Sequence, residues 1–140
     1  MKKNALNMVR VVVVEPAKAP REENVPSDSW DTWYPLVDKT TDLFEMLRLP
    51  DGLEMLFDEE GRLKQFPLNV LVPALAPSPL FDHSFLIDMT NGRGMKPGEP
   101  GIGYHEIYGT FIVARRKGEN YVDLTDEEVE KIKRGLVRAV

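Results

Sequence analysis

The two histidines are the side chains in this sequence best suited to acid–base chemistry or to metal binding. His83 follows Asp82 and His105 precedes Glu106, so each imidazole has a carboxylate beside it along the chain. Imidazoles and carboxylates are common zinc ligands and common partners in proton transfer. The spacing argues against such a site, because no His-x-His or His-x-x-x-His pattern occurs to bring several ligands together. We therefore predict no catalytic residue, no metal and no cofactor, with both histidines at the surface or in packing roles.

A glycine-rich segment, residues 91–103 (NGRGMKPGEPGIG), contains the cations Arg93 and Lys96. The backbone N–H groups of such a loop are able to bind a phosphate group. The segment lacks the Gly-Lys-Ser/Thr of a Walker sequence and does not follow a strand as a dinucleotide fingerprint does. It therefore predicts a mobile loop that orders on a partner. The alternative hypothesis is a binder of small ligands or nucleotides, with or without enzymatic activity, whose site is lined by Arg93, Lys96, His83 and His105.

Three large aromatic residues, Trp30, Trp33 and Tyr34, fall within five positions of the chain. Clusters of this kind usually belong to the core, because each ring buries a large area. When exposed, tryptophan and tyrosine instead dominate the energetics of protein interfaces. Pro35 disturbs the helix that these residues would share, so a partly exposed arrangement is the second interpretation. Both interpretations of the cluster remain open from the sequence.

Composition and charge exclude several classes of protein. The 140 residues, of which 42% are hydrophobic and 29% charged, predict one folded domain over residues 1–140. Cysteine is absent, which excludes disulfides, thiolate metal sites and thiol nucleophiles and fits a cytoplasmic location. The net charge of −5 disfavours non-specific binding to nucleic acid. The apolar run at residues 11–14 is too short to span a bilayer, and no export signal is expected.

The first third of the chain predicts one strand and one short helix. Residues 8–15 (MVRVVVVE) form a β-branched run bounded by proline, which predicts a central strand. Residues 16–27 contain three prolines and several charges, so we expect a loop or an irregular crossover there. Over residues 28–37 the large side chains recur at helical spacing after a serine that is available as a cap. Pro35 predicts that this helix is short or kinked.

The middle of the chain predicts a hairpin followed by an irregular insertion. Residues 43–58 contain two apolar segments around Asp51-Gly52, a dipeptide that favours a tight turn between antiparallel strands. Residues 62–66 are expected to add a third strand to this meander. An insertion at about residues 70–105 is rich in proline and glycine, and only residues 81–89 have enough apolar side chains to form a small packed element.

The last third of the chain predicts two strands and the best-defined helix. Residues 105–115 (HEIYGTFIVAR) have apolar side chains on both faces, which predicts one buried strand, and Tyr121-Val122 should pair back on it. Thr125 and Glu128 form a capping box at the start of the final helix. An apolar stripe then runs along one face of that helix, through Val129, Ile132, Leu136 and Val137. The fold class predicted is α+β, a small and mostly antiparallel sheet with a packed C-terminal helix and one short helix.

Five segments together resemble DUF3846, a family of small proteins of unknown function from bacteria, phages and plasmids. They are VRVVVVEP, LRLPDGLEMLFDEEGRL, FPLN, IYGTFIVAR and YVDLTDEEVEKI, which cover about half of the chain. The resemblance implies an α+β fold and a phage or mobile-element context, and it carries over no activity and no catalytic residue. The chain departs from the family between Val70 and His105, where it is longer and richer in proline and glycine.

These observations favour a non-catalytic module that binds a macromolecule. The expected contacts are the insertion, with Arg93 and Lys96, and the aromatic residues Trp30, Trp33 and Tyr34. The expected partner is a host protein or another copy of the chain, in the cytoplasm of the host cell if a phage encodes the protein. A homodimer through an exposed sheet edge or through the aromatic cluster is a third hypothesis.

Overall fold

Two antiparallel sheets form the body of the protein in the computed structural model, which describes residues 7–27, 29–49, 52–73, 87–88 and 104–135. The strands are β1 (Met8–Val14), β2 (Arg21–Pro26), β3 (Phe44–Arg48), β4 (Leu53–Asp58), β5 (Leu68–Pro73), β6 (Ile87–Asp88), β7 (Tyr104–Tyr108), β8 (Phe111–Lys117) and β9 (Asn120–Val122). The larger sheet has the order β2-β1-β8-β4-β3, and β9 pairs with β8. The smaller sheet has the order β6-β5-β7. The predicted α+β class is confirmed.

Strand β1 lies inside the larger sheet, between β2 and β8, as its apolar sequence predicts. The prediction of a loop over residues 16–27 is wrong, because β2 pairs antiparallel with β1 along six residue pairs. A turn with Ala17 at a φ of 63° reverses the chain between them. An edge strand needs only one neighbour, so β2 tolerates the polar sequence REEN, and it buries Val25 alone. Pro26 stands at the end of the strand, where its missing N–H is harmless.

The hairpin predicted around Gly52 is confirmed by β3 and β4, which pair from Phe44 with Asp58 to Arg48 with Glu54. Gly52 has a φ of 82°, a value that glycine adopts without strain. Residues 50 and 51 of the turn lie outside the described residues. The third meander strand predicted at residues 62–66 is wrong, because that segment is a series of turns in which Gln65 has a φ of 62°.

The single strand predicted over residues 105–115 is also wrong, because the chain breaks at Gly109 and its two halves belong to different sheets. Gly109 has a φ of 80°, and a Cβ atom placed there would lie 2.7 Å from Cδ2 of Phe66. The fully buried Asn69 side chain closes the corner: its Nδ2 donates to the carbonyl oxygens of Val14 at 3.1 Å and Gly109 at 2.9 Å. The bend thus depends on glycine and on a contact from residues distant in sequence.

Each face of the larger sheet packs a separate core. The inner face packs against the smaller sheet and the C-terminal helix, through Val12, Val14, Leu49, Leu53, Met55, Phe57, Val70, Val72, Ile107, Phe111, Val113, Leu124, Val129 and Ile132. The outer face packs against the segment that follows β2, through Val9, Val11, Val13, Val25, Trp33, Val37, Phe44, Leu56, Ile112 and Ala114. The sheet is therefore the middle layer of three.

Two helical segments complete these layers. The short helix predicted over residues 28–37 is a 3-10 turn, Trp30–Thr32, followed by α1, Tyr34–Val37. Ser29 caps the 3-10 turn by accepting from the Asp31 N–H at 3.1 Å. Pro35 lies in the first turn of α1, where a helix tolerates proline.

Helix α2, Asp126–Gly135, begins with the predicted capping box. The Glu128 N–H donates to the Thr125 hydroxyl at 3.1 Å, and the Thr125 N–H donates to the Glu128 carboxylate at 2.8 Å. Val129 and Ile132 bury the predicted stripe against the inner face, while residues 136–140 lie outside the described residues. In the described part of the chain, no helix has the length and apolar character needed to cross a membrane.

Candidate functional site

Of the three residues in the aromatic cluster predicted from the sequence, one is buried and two are partly exposed. Trp33 is 1% exposed, and its indole Nε1 donates to the Pro26 carbonyl oxygen at 2.6 Å. Trp30 and Tyr34 are half-buried and lie at the edge of the outer core. The core interpretation therefore holds for Trp33, and the partly exposed interpretation holds for Trp30 and Tyr34.

The half-exposed rings rest on a rigid support from the sheet. The ring centroids of Trp30 lie 5.1 Å from those of Trp33 and 5.4 Å from those of Phe44, both in edge-to-face geometry. The Tyr34 and Phe44 centroids are 4.7 Å apart. Edge-to-face pairs of this kind add stability beyond the area that they bury. The outward parts of Trp30 and Tyr34 are thus held in place by these contacts.

Two further residues extend this surface, although sequence reasoning did not select them. Met46, at the middle of β3, is 48% exposed, and its sulfur lies 3.7 Å from the Tyr121 hydroxyl. The Tyr121 ring is 5.5 Å from that of Trp30, centroid to centroid. We call Trp30, Tyr34, Met46 and Tyr121 the aromatic surface. The alternation along β3 would indicate that Met46 shares a face with Phe44, but no local signal links either residue to Tyr121.

The position of Tyr121 is fixed by a buried carboxylate. Its hydroxyl donates to Oε1 of Glu54 at 2.6 Å, and Glu54 is only 2% exposed. Burial, reinforced by the neighbouring carboxylate, raises the pKa of Tyr121 well above its ordinary value, so the phenol stays protonated. The Arg116 guanidinium lies over the ring at 5.6 Å from its centroid and 3.6 Å from Glu54 Oε2. The ring therefore has one orientation at the rim of the surface.

Strand β3 borders the aromatic surface and forms one edge of the larger sheet. The Leu49 N–H donates to the Leu53 carbonyl oxygen, and the Glu59 N–H donates to that of Leu43. Odd-numbered residues of this strand therefore direct their backbone groups toward β4. The N–H and C=O groups of Phe44, Met46 and Arg48 consequently point away from β4, and β3 pairs with no second strand in the part of the chain that the structure describes.

One geometric observation bears on the hypothesis that His105 lines a ligand site. His105 is exposed on β7 and lines a cleft of about 320 Å³ whose other polar lining groups are Glu45, Asp58, Glu59, Arg62, Glu106 and Tyr108. Arg62 and the Tyr108 hydroxyl lie 3.7 Å and 3.2 Å from Oε1 of Glu106. His83, Arg93 and Lys96 lie outside the described residues, so their predicted convergence with His105 stays a prediction. Among described residues, no group of three histidine or acidic side chains is arranged to hold a metal ion.

A buried ion pair at the end of β4 was missed by sequence reasoning. Asp58 is 4% exposed; it accepts from the Lys64 ammonium and from the Thr41 hydroxyl, both at 2.7 Å, and from the Glu60 N–H at 2.8 Å. Burial opposes ionisation, but these hydrogen bonds outweigh it and hold the pKa of Asp58 below its ordinary value. Nothing local in the sequence distinguishes Asp58 from its acidic neighbours.

Replacing Asp58 by asparagine is expected to destabilise the protein by about 2 kcal/mol at pH 7, because hydrogen bonds to charged groups are lost in a buried site. A carboxyl with a lowered folded pKa stabilises above its unfolded pKa and loses that contribution as the pH falls through the folded value. The difference in unfolding free energy between wild type and Asp58→Asn should therefore disappear at acidic pH, below 3.8, the ordinary pKa of an aspartate carboxyl. Urea titrations at several pH values measure it, and a difference that is constant with pH would contradict the prediction.

Comparison with known proteins links the chain to one family. A family model described as a domain of unknown function (DUF3846) matches residues 9–136, a range that includes the described strands and helices apart from Met8, the first residue of β1. No curated protein sequence and no solved structure matches the chain. The matched range also includes both halves of the aromatic cluster and the β3 edge.

Proposed function

Because the chain belongs to the DUF3846 family, whose description states no activity, we propose that it is a non-catalytic module that binds another protein through the aromatic surface. The observation that carries this proposal is the combination of exposure and rigidity in Trp30, Tyr34 and Met46. Met46 is 48% exposed and Trp30 and Tyr34 are half-buried, yet each is in contact with neighbours on the sheet.

A protein is the class of partner that fits this chemistry. Tryptophan, tyrosine and methionine are enriched in protein interfaces, and the first two supply much of the binding energy there. Rings that are already immobilised lose little conformational entropy on binding. The net charge of −5 repels a phosphate backbone, so nucleic acid is not the proposed partner.

The cellular context of the proposal comes from the family resemblance. We take the protein to be an accessory factor of a phage or mobile element that acts in the cytoplasm, with a host protein or another copy of the chain as its partner. The insertion at about residues 70–105, with Arg93 and Lys96, is the second proposed contact. Deleting residues 91–103 tests that contact separately, because a partner that binds the deletion variant as well as wild type does not use it.

Replacing Trp30 by alanine is expected to weaken partner binding about thirtyfold, since an aromatic hot spot contributes at least 2 kcal/mol. Quantitative pull-down from lysate of the source cell measures the loss against the wild-type chain. The matched control is Leu63→Ala, which removes an apolar side chain that is 81% exposed and outside the aromatic surface. Near-UV circular dichroism verifies that both variants are folded.

Two results contradict this proposal. In the first, Trp30→Ala retains every partner that wild type recovers; in the second, Leu63→Ala loses those partners to the same degree as Trp30→Ala. If either occurs while both variants remain folded, the aromatic surface is not the binding site.

A second candidate function rests on the cleft beside His105. Its volume of about 320 Å³ suits a small ligand, and Arg62 and His105 are among the polar groups that line it. Thermal-shift screening against nucleotides and divalent metals tests this candidate, because a ligand at a hundred times its Kd stabilises by about 2.7 kcal/mol. A shift that His105→Ala abolishes supports a ligand site, and a panel without any shift contradicts it.

A further inference from the structure

We propose that β3 pairs antiparallel with β3 of a second copy of the chain, about a twofold axis that passes beside Met46. This inference rests on the proposed function, because it names the partner of the same surface. The outward N–H and C=O groups of Phe44, Met46 and Arg48 supply the hydrogen bonds of the new strand pair. The two larger sheets then form one continuous sheet across the dimer.

The two edges of the larger sheet differ in a way that selects β3. Strand β2 carries charged side chains that form ion pairs, such as Arg21 with Glu23 at 2.8 Å, and it ends at Pro26. Charge and proline are the usual protection of an edge against pairing. Strand β3 instead places the half-exposed Met46 at its centre. Strand β3 also carries the charged residues Glu45 and Arg48, so the difference between the two edges is the apolar centre of β3 beside the aromatic surface.

Hydrogen-bond geometry and side-chain chemistry restrict the register of the pair. Residues whose backbone groups point away from β4 must face residues of the same kind in the second copy. This condition allows the twofold axis to lie beside any one residue of β3, and each choice gives a different register. An axis at Glu45 would place two carboxylates opposite each other, which is repulsive. An axis at Leu47 would place Phe44 opposite residue 50, beyond the end of β3, and so shorten the paired segment. With the axis at Met46, all five residues of β3 face residues of β3 in the second copy, and Phe44 faces Arg48.

Charge complementarity supports a second copy of the chain as the partner of β3. Arg48 ends β3 and Asp42 lies two residues before the strand begins; the two have the same parity along the chain, and both are exposed. Arg48 has a side chain that is 81% exposed, with its Nε 3.7 Å from Glu54. The twofold axis brings Asp42 of each copy to a position diagonal to Arg48 of the other, within reach of a long side chain. Two ion pairs therefore form per dimer, and Met46 meets its symmetry mate between them.

Sedimentation velocity and light scattering on the full chain test this inference. We expect a mass of twice 15.9 kDa at high concentration. Met46→Lys places two like charges at the axis and should weaken the dimer about a hundredfold. Leu63→Lys adds the same charge at a residue that is 81% exposed and should leave the dimer unchanged.

Charge exchange tests the antiparallel pairing of the two β3 strands. Asp42→Arg and Arg48→Asp should each weaken the dimer about tenfold, because each creates repulsion in both diagonal pairs. The double variant restores opposite charges and should return the dimer Kd to within about threefold of wild type. Restoration by the double variant supports antiparallel pairing of the two β3 strands, whereas additive loss overturns it.

The outcomes separate this inference from the proposed function. A wild-type chain that stays monomeric, or a dimer that Met46→Lys leaves intact, overturns β3 pairing. The lysate experiment with Trp30→Ala then still decides whether the aromatic surface binds a different protein. The opposite case is that β3 pairing is supported while Trp30→Ala loses neither a lysate partner nor the dimer. The β3 edge then binds without the rings, so the proposed function is wrong and β3 pairing stands.

Discussion

Replacing Gly109 by alanine is expected to lower the free energy of unfolding by about 3 kcal/mol, from backbone strain and steric overlap together. The φ of 80° at Gly109 is in the left-handed region, which a residue with a Cβ atom adopts only at a cost. The new Cβ would also lie 2.7 Å from Cδ2 of Phe66, closer than real Cβ contacts. Urea denaturation followed by circular dichroism measures the change.

Gly118 is the matched control for this prediction. It has a φ of 64°, and a Cβ atom there would have no atom within 4 Å. Gly118→Ala should therefore show backbone strain alone, about 1 kcal/mol. The difference between the two variants isolates the contact with Phe66. Equal losses of stability in the two variants would show that this contact is unimportant at the bend.

Trp33→Ala is expected to destabilise the fold by about 4 kcal/mol, because truncation of a buried tryptophan leaves a large cavity. The side chain is 1% exposed and fills the space between the outer face of the sheet and the helical segment. Its loss also leaves the Pro26 carbonyl oxygen without the indole donor at 2.6 Å. Chemical denaturation of the purified variant measures the loss.

Trp30→Ala provides the comparison for Trp33→Ala. Trp30 is half-buried, so its truncation should destabilise by about 1.5 kcal/mol and leave the chain folded. The two tryptophans are three residues apart and have similar chemistry, but one supports the fold and the other presents the surface. Similar losses of stability in the two variants would contradict that division.

Local signals in the sequence were sufficient for the elements that depend on local chemistry. The capping box of Thr125 and Glu128 and the turn at Gly52 each satisfy backbone groups within a few residues. The β-branched run of β1 is apolar on both faces, which is typical of an interior strand. These features are present in the sequence because their causes lie within a few residues of each other.

The missed elements have causes elsewhere in the chain. The polar sequence of β2 forms a strand because β1 offers a partner, and the edge position leaves most of its side chains in water. The break at Gly109 depends on Phe66 and Asn69, which are about 40 residues away and reach it only in the folded chain. Periodicity within residues 105–115 contains no trace of either contact.

The candidate site was predicted only in part for the same reason. Trp30, Trp33 and Tyr34 were identified as a cluster, but helical spacing could not determine which ring faces the core. That division depends on Phe44 and Tyr121, whose rings touch the cluster from other parts of the chain. Sequence-based reasoning found the residue types suited to binding, and tertiary contacts decide which of them a partner reaches.

The Asn69 amide has a consequence for how the molecule opens. Its single Nδ2 group serves one carbonyl at the end of β1 and another at the bend before β8, so three distant chain segments share one donor. Separating the smaller sheet would break both of these buried hydrogen bonds at once and expose the core that the two sheets share. The amide protons of the two sheets should therefore exchange with solvent through one cooperative event, with no separate subglobal opening of the smaller sheet.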